Sequence, residues 1–140
     1  MALVVDASVL SEYLVDSPFG REAAGVMREQ GDDLHIPHLA VVETTSALRG
    51  WARAGRLPAG IAAAALDDLA DFPAVRWPAE PLLPRVWELR DNLTSYDATY
   101  VALAEALDGT LLTADARLAR GAEGRARCSV RLVGARPVGT

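Results

Sequence analysis

Four acidic residues, Asp6, Glu43, Asp97 and Asp115, are spaced so that alternating strands and helices would bring their carboxylates together. Asp6 ends the apolar run ALVV, and Asp115 follows the run TLLT after a single alanine. Glu43 and Asp97 fall near the starts of two helical stretches, on stripes otherwise lined by apolar or small residues. Carboxylates gathered without compensation repel one another and rise in pKa, so the pattern makes chemical sense when divalent cations fill the gap. With oxygen ligands only, and no histidine or cysteine among them, the expected ion is Mg2+, with Mn2+ as the alternative, rather than Zn2+.

Each acid also has a reading that needs no ion. Asp97 in a first helical turn is favoured by the helix macrodipole. Asp115 suits the N-cap of a short helix, ADARLAR, and Asp6 with Ser8 suits a strand-to-helix turn in which Ser8 caps the helix. A lone charge on an apolar face such as that of Glu43 calls for an ion pair or a bound cation. The chemical reading therefore depends on the elements that carry these residues.

ALVV at 2–5 is too short for a helix and reads as a strand buried on both faces. A helix follows with Val9, Leu10, Tyr13 and Leu14 on its apolar side, and Pro18 to Gln30 reads as a surface helix ended by the turn Gly31-Asp32-Asp33. LHI is a second strand. Pro37 then opens a long helix, from about His38 to Ala54, on which Leu39, Glu43, Ala47 and Gly50 share a face. Arg49, Arg53 and Arg56 make a basic stripe near Trp51, either a solvated face or a contact for phosphates or an acidic partner. His35 and His38 flank a strand-to-helix turn, and each is expected to serve loop hydrogen bonds.

The next helix, LPAGIAAAALDDLADF, turns Ile61, Ala65, Leu69 and Phe72 inward. VRW is a third strand, and PAEPLLP leads into a helix burying Leu82, Val86, Leu89 and Leu93. Ser95 caps the helix of Asp97, with Val101, Ala104 and Leu107 on its inner stripe and a stop at Asp108-Gly109. TLLT and SVRLV supply the fourth and fifth strands, before a frayed polar tail. Strict alternation of strand and helix implies a three-layer α/β/α fold whose parallel five-stranded sheet is covered by right-handed crossovers. The first strand of such a sheet is usually central, and ligands bind at its C-terminal edge.

The totals agree with one domain spanning 1–140: 140 residues at 14.9 kDa, 51% hydrophobic, with no apolar run near the ~20 residues of a membrane span. The start MALVVDASVL lacks a basic leader, so a cytoplasmic location is expected. The single Cys128 excludes an internal disulfide and reads as a small, partly buried residue. All 14 basic residues are arginine, which removes every mechanism that needs a lysine, P-loop and Schiff-base chemistry included. A net charge of −5 argues against broad, tight binding to nucleic acid through phosphates.

VVDASVL, P-x5-E in PHLAVVE, YDATYVALAEAL and LLTADARLAR, in this order and spacing, resemble the PIN domain, and within it the VapC toxins of bacterial toxin–antitoxin pairs. The resemblance covers nearly the whole chain. It implies a PIN-like parallel five-stranded sheet, Mg2+-dependent endoribonuclease activity on structured RNA such as tRNA or rRNA, and a cognate VapB-like antitoxin. A homodimer is also implied, joined with antitoxin into a heterotetramer or larger. Carried over by position, Asp6, Glu43, Asp97 and Asp115 are the catalytic, metal-holding quartet, with Ser8 and Thr113 as supporting hydroxyls. The TTS after Glu43 is more polar than the family pattern.

Two rivals belong to other classes. A phosphohydrolase of the haloacid-dehalogenase kind needs D-x-D on the first strand and a later lysine, whereas here Ser8 follows Asp6 and no lysine exists. A catalytically silent PIN-like module that only binds RNA or protein is the other, and four intact acids speak against it.

Overall fold

A computed structural model describes residues 1–134, so the tail expected after the last strand lies outside the described residues. The chain runs β1 (Leu3–Val5), α1 (Ala7–Leu14), α2 (Pro18–Glu29), β2 (Leu34–Pro37), α3 (His38–Arg53), α4 (Ala59–Ala70) and β3 (Val75–Trp77). After a 3-10 turn at Glu80–Leu82 come α5 (Leu83–Glu88), α6 (Ser95–Ala106), β4 (Thr110–Thr113), α7 (Ala116–Ala122) and β5 (Ser129–Leu132).

All five strands pair in parallel in the order β3-β2-β1-β4-β5, with Leu3 opposite both Leu34 and Thr110. The short apolar runs form strands because both faces are covered: Leu3, Val4, Val5, Ile36, Leu111 and Leu112 are fully buried. The chain moves from β1 through β2 to β3 in one direction, then crosses back to β4 and β5. Right-handed crossovers therefore put α1 to α4 on one face and α5 to α7 on the other, which is the expected three-layer arrangement. Helix packing agrees, since α1 contacts α2 and α3, α3 contacts α4, and α5 contacts α6. The order reverses beside central β1, and in open α/β sheets ligands bind at the C-terminal strand ends of such a switch point.

Close backbone approach requires glycine at positions 20 and 109, among others. A Cβ on Gly20 would lie 2.2 Å from the Glu12 carbonyl oxygen, which lets α2 press against α1, and one on Gly109 would lie 2.4 Å from that of Ala2. No helix among the described residues is long and apolar enough to cross a membrane.

The helix starts differ from the sequence reading. Asp6, not Ser8, caps α1, accepting the Val9 N–H, because an ionised carboxylate is the stronger acceptor and Ser8 spends its hydroxyl on that same carboxylate. Thr94, not Ser95, caps α6, its hydroxyl oxygen lying three residues before the Asp97 N–H it receives. Pro37 ends β2 and occupies the N-cap of α3, one position before its expected place inside the first turn. Ile61 is 50% exposed rather than inward, since α4 buries only Ala65 and Leu69. Leu82, Val86, Leu89 and Leu93 are buried as expected.

Candidate metal centre

Strand ends and helix starts place the acids at the C-terminal edge of the sheet. Asp6 leaves β1 and is only 3% exposed. Its Oδ1 accepts from the Ser8 hydroxyl at 2.6 Å and the Val9 N–H at 3.0 Å, while its Oδ2 accepts from the buried Thr113 hydroxyl at the end of β4. Ser8 Oγ in turn accepts the Ala114 N–H at 2.9 Å, and Thr113 Oγ1 accepts the Asp115 N–H at 3.0 Å. The two hydroxyls thus stitch the ends of β1 and β4 together and fix Asp6 between them. Burial pushes the Asp6 pKa up from 3.8 to about 6, against the hydrogen bonds from Ser8, Thr113 and Val9, with the charge of Asp97 adding to the rise.

Asp97 is half-buried in the first turn of α6. Burial raises its pKa first, followed by the negative charges of Asp115 and Glu43, while Thr94 and the nearby Arg117 act in the opposite sense. Glu43, half-buried on the second turn of α3, is turned towards the protein: its Oε1 accepts a 2.6 Å hydrogen bond from the Tyr100 hydroxyl. Asp115 is also half-buried and caps α7, its Oδ1 accepting the Arg117 N–H at 2.8 Å and the Leu118 N–H at 3.4 Å. The N-cap reading of Asp115 therefore holds, and its charge also reaches Asp97.

The fold thus brings Asp6, Glu43 and Asp115 each within electrostatic reach of Asp97. Among the described residues, however, no three aspartate, glutamate, histidine or cysteine side chains are drawn together tightly enough to enclose an ion. Asp6 is held inward by its three donors. The donor set suits a hard cation, being carboxylate and hydroxyl oxygen throughout.

Tyr100 was not singled out in the sequence. It lies one turn beyond Asp97 on α6, is 2% exposed, and has its pKa driven far above the ordinary phenol value, first by burial and then by the bond to Glu43. The signal was D-x-x-Y, an aromatic at i+3 whose ring reads as core while its hydroxyl needs a partner.

Arg49, Arg53 and Arg56 are exposed, and among the described residues none pairs with the four acids. His35 fulfils the hydrogen-bonding expectation: its Nε2 lies 2.7 Å from Asp33 Oδ1 and its Nδ1 accepts from the Trp77 indole N–H at 3.0 Å. His38 is exposed at the start of α3. Cys128 is half-buried, and burial pushes its thiol up to about 11, which keeps it protonated and inert at neutral pH.

Residues 3–124 match the family described as PIN domain. The chain is 40% identical over 131 residues to VapC ribonuclease Mb0985 of Mycobacterium bovis, covering 94% of this chain and 98% of that protein. Among solved structures it resembles PAE2754 from Pyrobaculum aerophilum, with a TM-score of 0.66 and 26% identity over 93% of this chain and 83% of that one. VapBC2 from Rickettsia felis, solved bound to a DNA fragment from its promoter, shares the fold at a TM-score of 0.65 and 10% identity, covering 94% and 98% of the two chains.

Proposed function

Since the chain belongs to the PIN-domain family, among its VapC members, we propose that it is the endoribonuclease toxin of a toxin–antitoxin pair, cleaving structured RNA such as tRNA or rRNA with Mg2+ or Mn2+. One observation carries this reading: Asp97 lies within reach of the charges of Glu43 and Asp115, which stand on two other elements, while Asp6 leaves β1 at the same edge of the sheet. Folding gathers like charges at a cost, and a bound cation offsets it. The curated relative named as a ribonuclease, matched over almost its full length, supports the same activity.

In this mechanism Asp6, Glu43, Asp97 and Asp115 would hold one or two cations. When bound, the ion neutralises phosphate charge, lowers the pKa of the attacking water and stabilises the leaving 3′ oxygen. Ser8 and Thr113 keep Asp6 in place and ionised by donating to both of its oxygens. No side-chain nucleophile takes part, and the products carry a 5′ phosphate. Because phosphate contacts carry no sequence information, RNA choice would rest on shape and on residues around the acids, among them the Arg49, Arg53 and Arg56 stripe. A VapB-like antitoxin covers the acids in the resting state, with the toxin as a homodimer in a heterotetramer or larger assembly in the cytoplasm.

The test uses purified protein and total RNA. Cleavage is expected with Mg2+ or Mn2+, none in a chelator, and none of a generic phosphomonoester. Cleavage that survives chelation, or turnover of the phosphomonoester alone, would remove the basis for this reading.

A further inference from the structure

The acid-bearing helices α3 and α6 cover opposite faces of the sheet, so their side chains meet only at its edge. There Glu43 bonds to Tyr100, which lies three residues after Asp97 and therefore on the same side of α6. Glutamate has a long, rotatable stem, and the charge of Asp97 lies within reach of its carboxylate. Unrestrained, it would swing towards water. The Tyr100 ring is locked in the core at 2% exposure, so its hydroxyl is a fixed point from which one oxygen of the carboxylate is held.

We propose that Tyr100 is a positioning residue for the metal centre: its buried hydroxyl holds Oε1 of Glu43 and leaves Oε2 to the cation that Glu43 would share with Asp97 and Asp115. This rests on the metal-centre reading above and assigns within it a residue that touches neither ion nor RNA. Partners of this kind orient a ligand, and their loss typically weakens metal affinity by about 10- to 100-fold. If the hydroxyl only satisfied itself on the nearest acceptor, removing it would leave affinity for the ion unchanged.

The experiment compares wild type, Tyr100→Phe, Glu43→Gln and the double variant by calorimetric titration of the metal-free chains with Mg2+ and Mn2+. Thermal unfolding in a chelator checks the fold of each. Tyr100→Phe should raise the half-saturating concentration about tenfold, and adding it to Glu43→Gln should change little further, since the hydroxyl acts through that carboxylate. RNA cleavage by Tyr100→Phe should recover at saturating Mg2+. In the wild-type chain the Tyr100 ring resonances should shift as Mg2+ is added, whereas those of Tyr13, packed edge-on against Phe72, should not. Unchanged affinity in folded Tyr100→Phe, losses that add in the double variant, or Tyr100 resonances indifferent to the ion would each overturn the inference while leaving the metal centre standing. A wild-type chain that takes up neither ion would overturn both.

Discussion

Asp6 is where folding and cation binding oppose each other most directly. A pKa raised from 3.8 to about 6 means that holding this carboxylate ionised in the folded chain costs about 3 kcal/mol. Asp6→Asn keeps the shape and removes the charge. The amide oxygen can still accept from Ser8 and Val9, and the amide N–H2 can donate to Thr113 once that hydroxyl turns away. Those bonds are weaker to a neutral group, so the net gain in a chelator at pH 7.5 should be ~1–2 kcal/mol. The sign follows from proton linkage. Between the unfolded value of 3.8 and the folded value of about 6, wild type binds more protons folded than unfolded, so its stability falls as pH rises through that window. The advantage of Asp6→Asn should therefore be full above pH 6 and shrink towards pH 4. Urea unfolding in a chelator at pH 4.5 and pH 7.5 reads both values. Saturating Mg2+ should reverse the order at pH 7.5, because an ion that binds only the folded chain stabilises wild type selectively. A variant less stable than wild type at pH 7.5 in the chelator, or a difference indifferent to pH, would refute the reasoning.

Asp97→Asn should relieve the growth arrest caused by unpartnered expression while leaving the melting temperature in a chelator unchanged or higher, since burial and two neighbouring acids already disfavour its charge. Arg85→Ala should destabilise the chain by ~2 kcal/mol in urea unfolding, because Glu105, whose side chain is 9% exposed, would lose the guanidinium that grips both its oxygens at 2.7 and 3.1 Å. A peptide from the antitoxin tail that places an arginine on Asp6, Asp97 or Asp115 competes with the ion for the same oxygens, so raising Mg2+ should weaken its inhibition. Replacing that arginine should abolish the Mg2+ dependence, as read by titrating cleavage at two Mg2+ concentrations.

Much of this was legible in the residues because strands buried on both faces leave continuous apolar runs. ALVV, LHI and TLLT could be placed, and with them the edge at which Asp6 and Asp115 emerge. Cap identity was less legible. Asp6 and Ser8, or Thr94 and Ser95, are all competent acceptors within two positions, and only the donor three residues on decides between them. Ile61 followed the period of α4 but lies beyond the narrow strip, Ala65 and Leu69, that the helix buries. Tyr100 was missed because periodicity records only its ring, and its hydroxyl has meaning only once Glu43 of α3 reaches it across the edge of the sheet.

The central claim is best tested by mapping RNA 5′ ends in cells after induced expression of wild type and of Asp97→Asn. The account predicts new 5′-monophosphate ends at discrete positions in tRNA or rRNA with wild type and none with the variant. The same ends from both proteins, or no new ends from a wild-type chain that arrests growth, would contradict it.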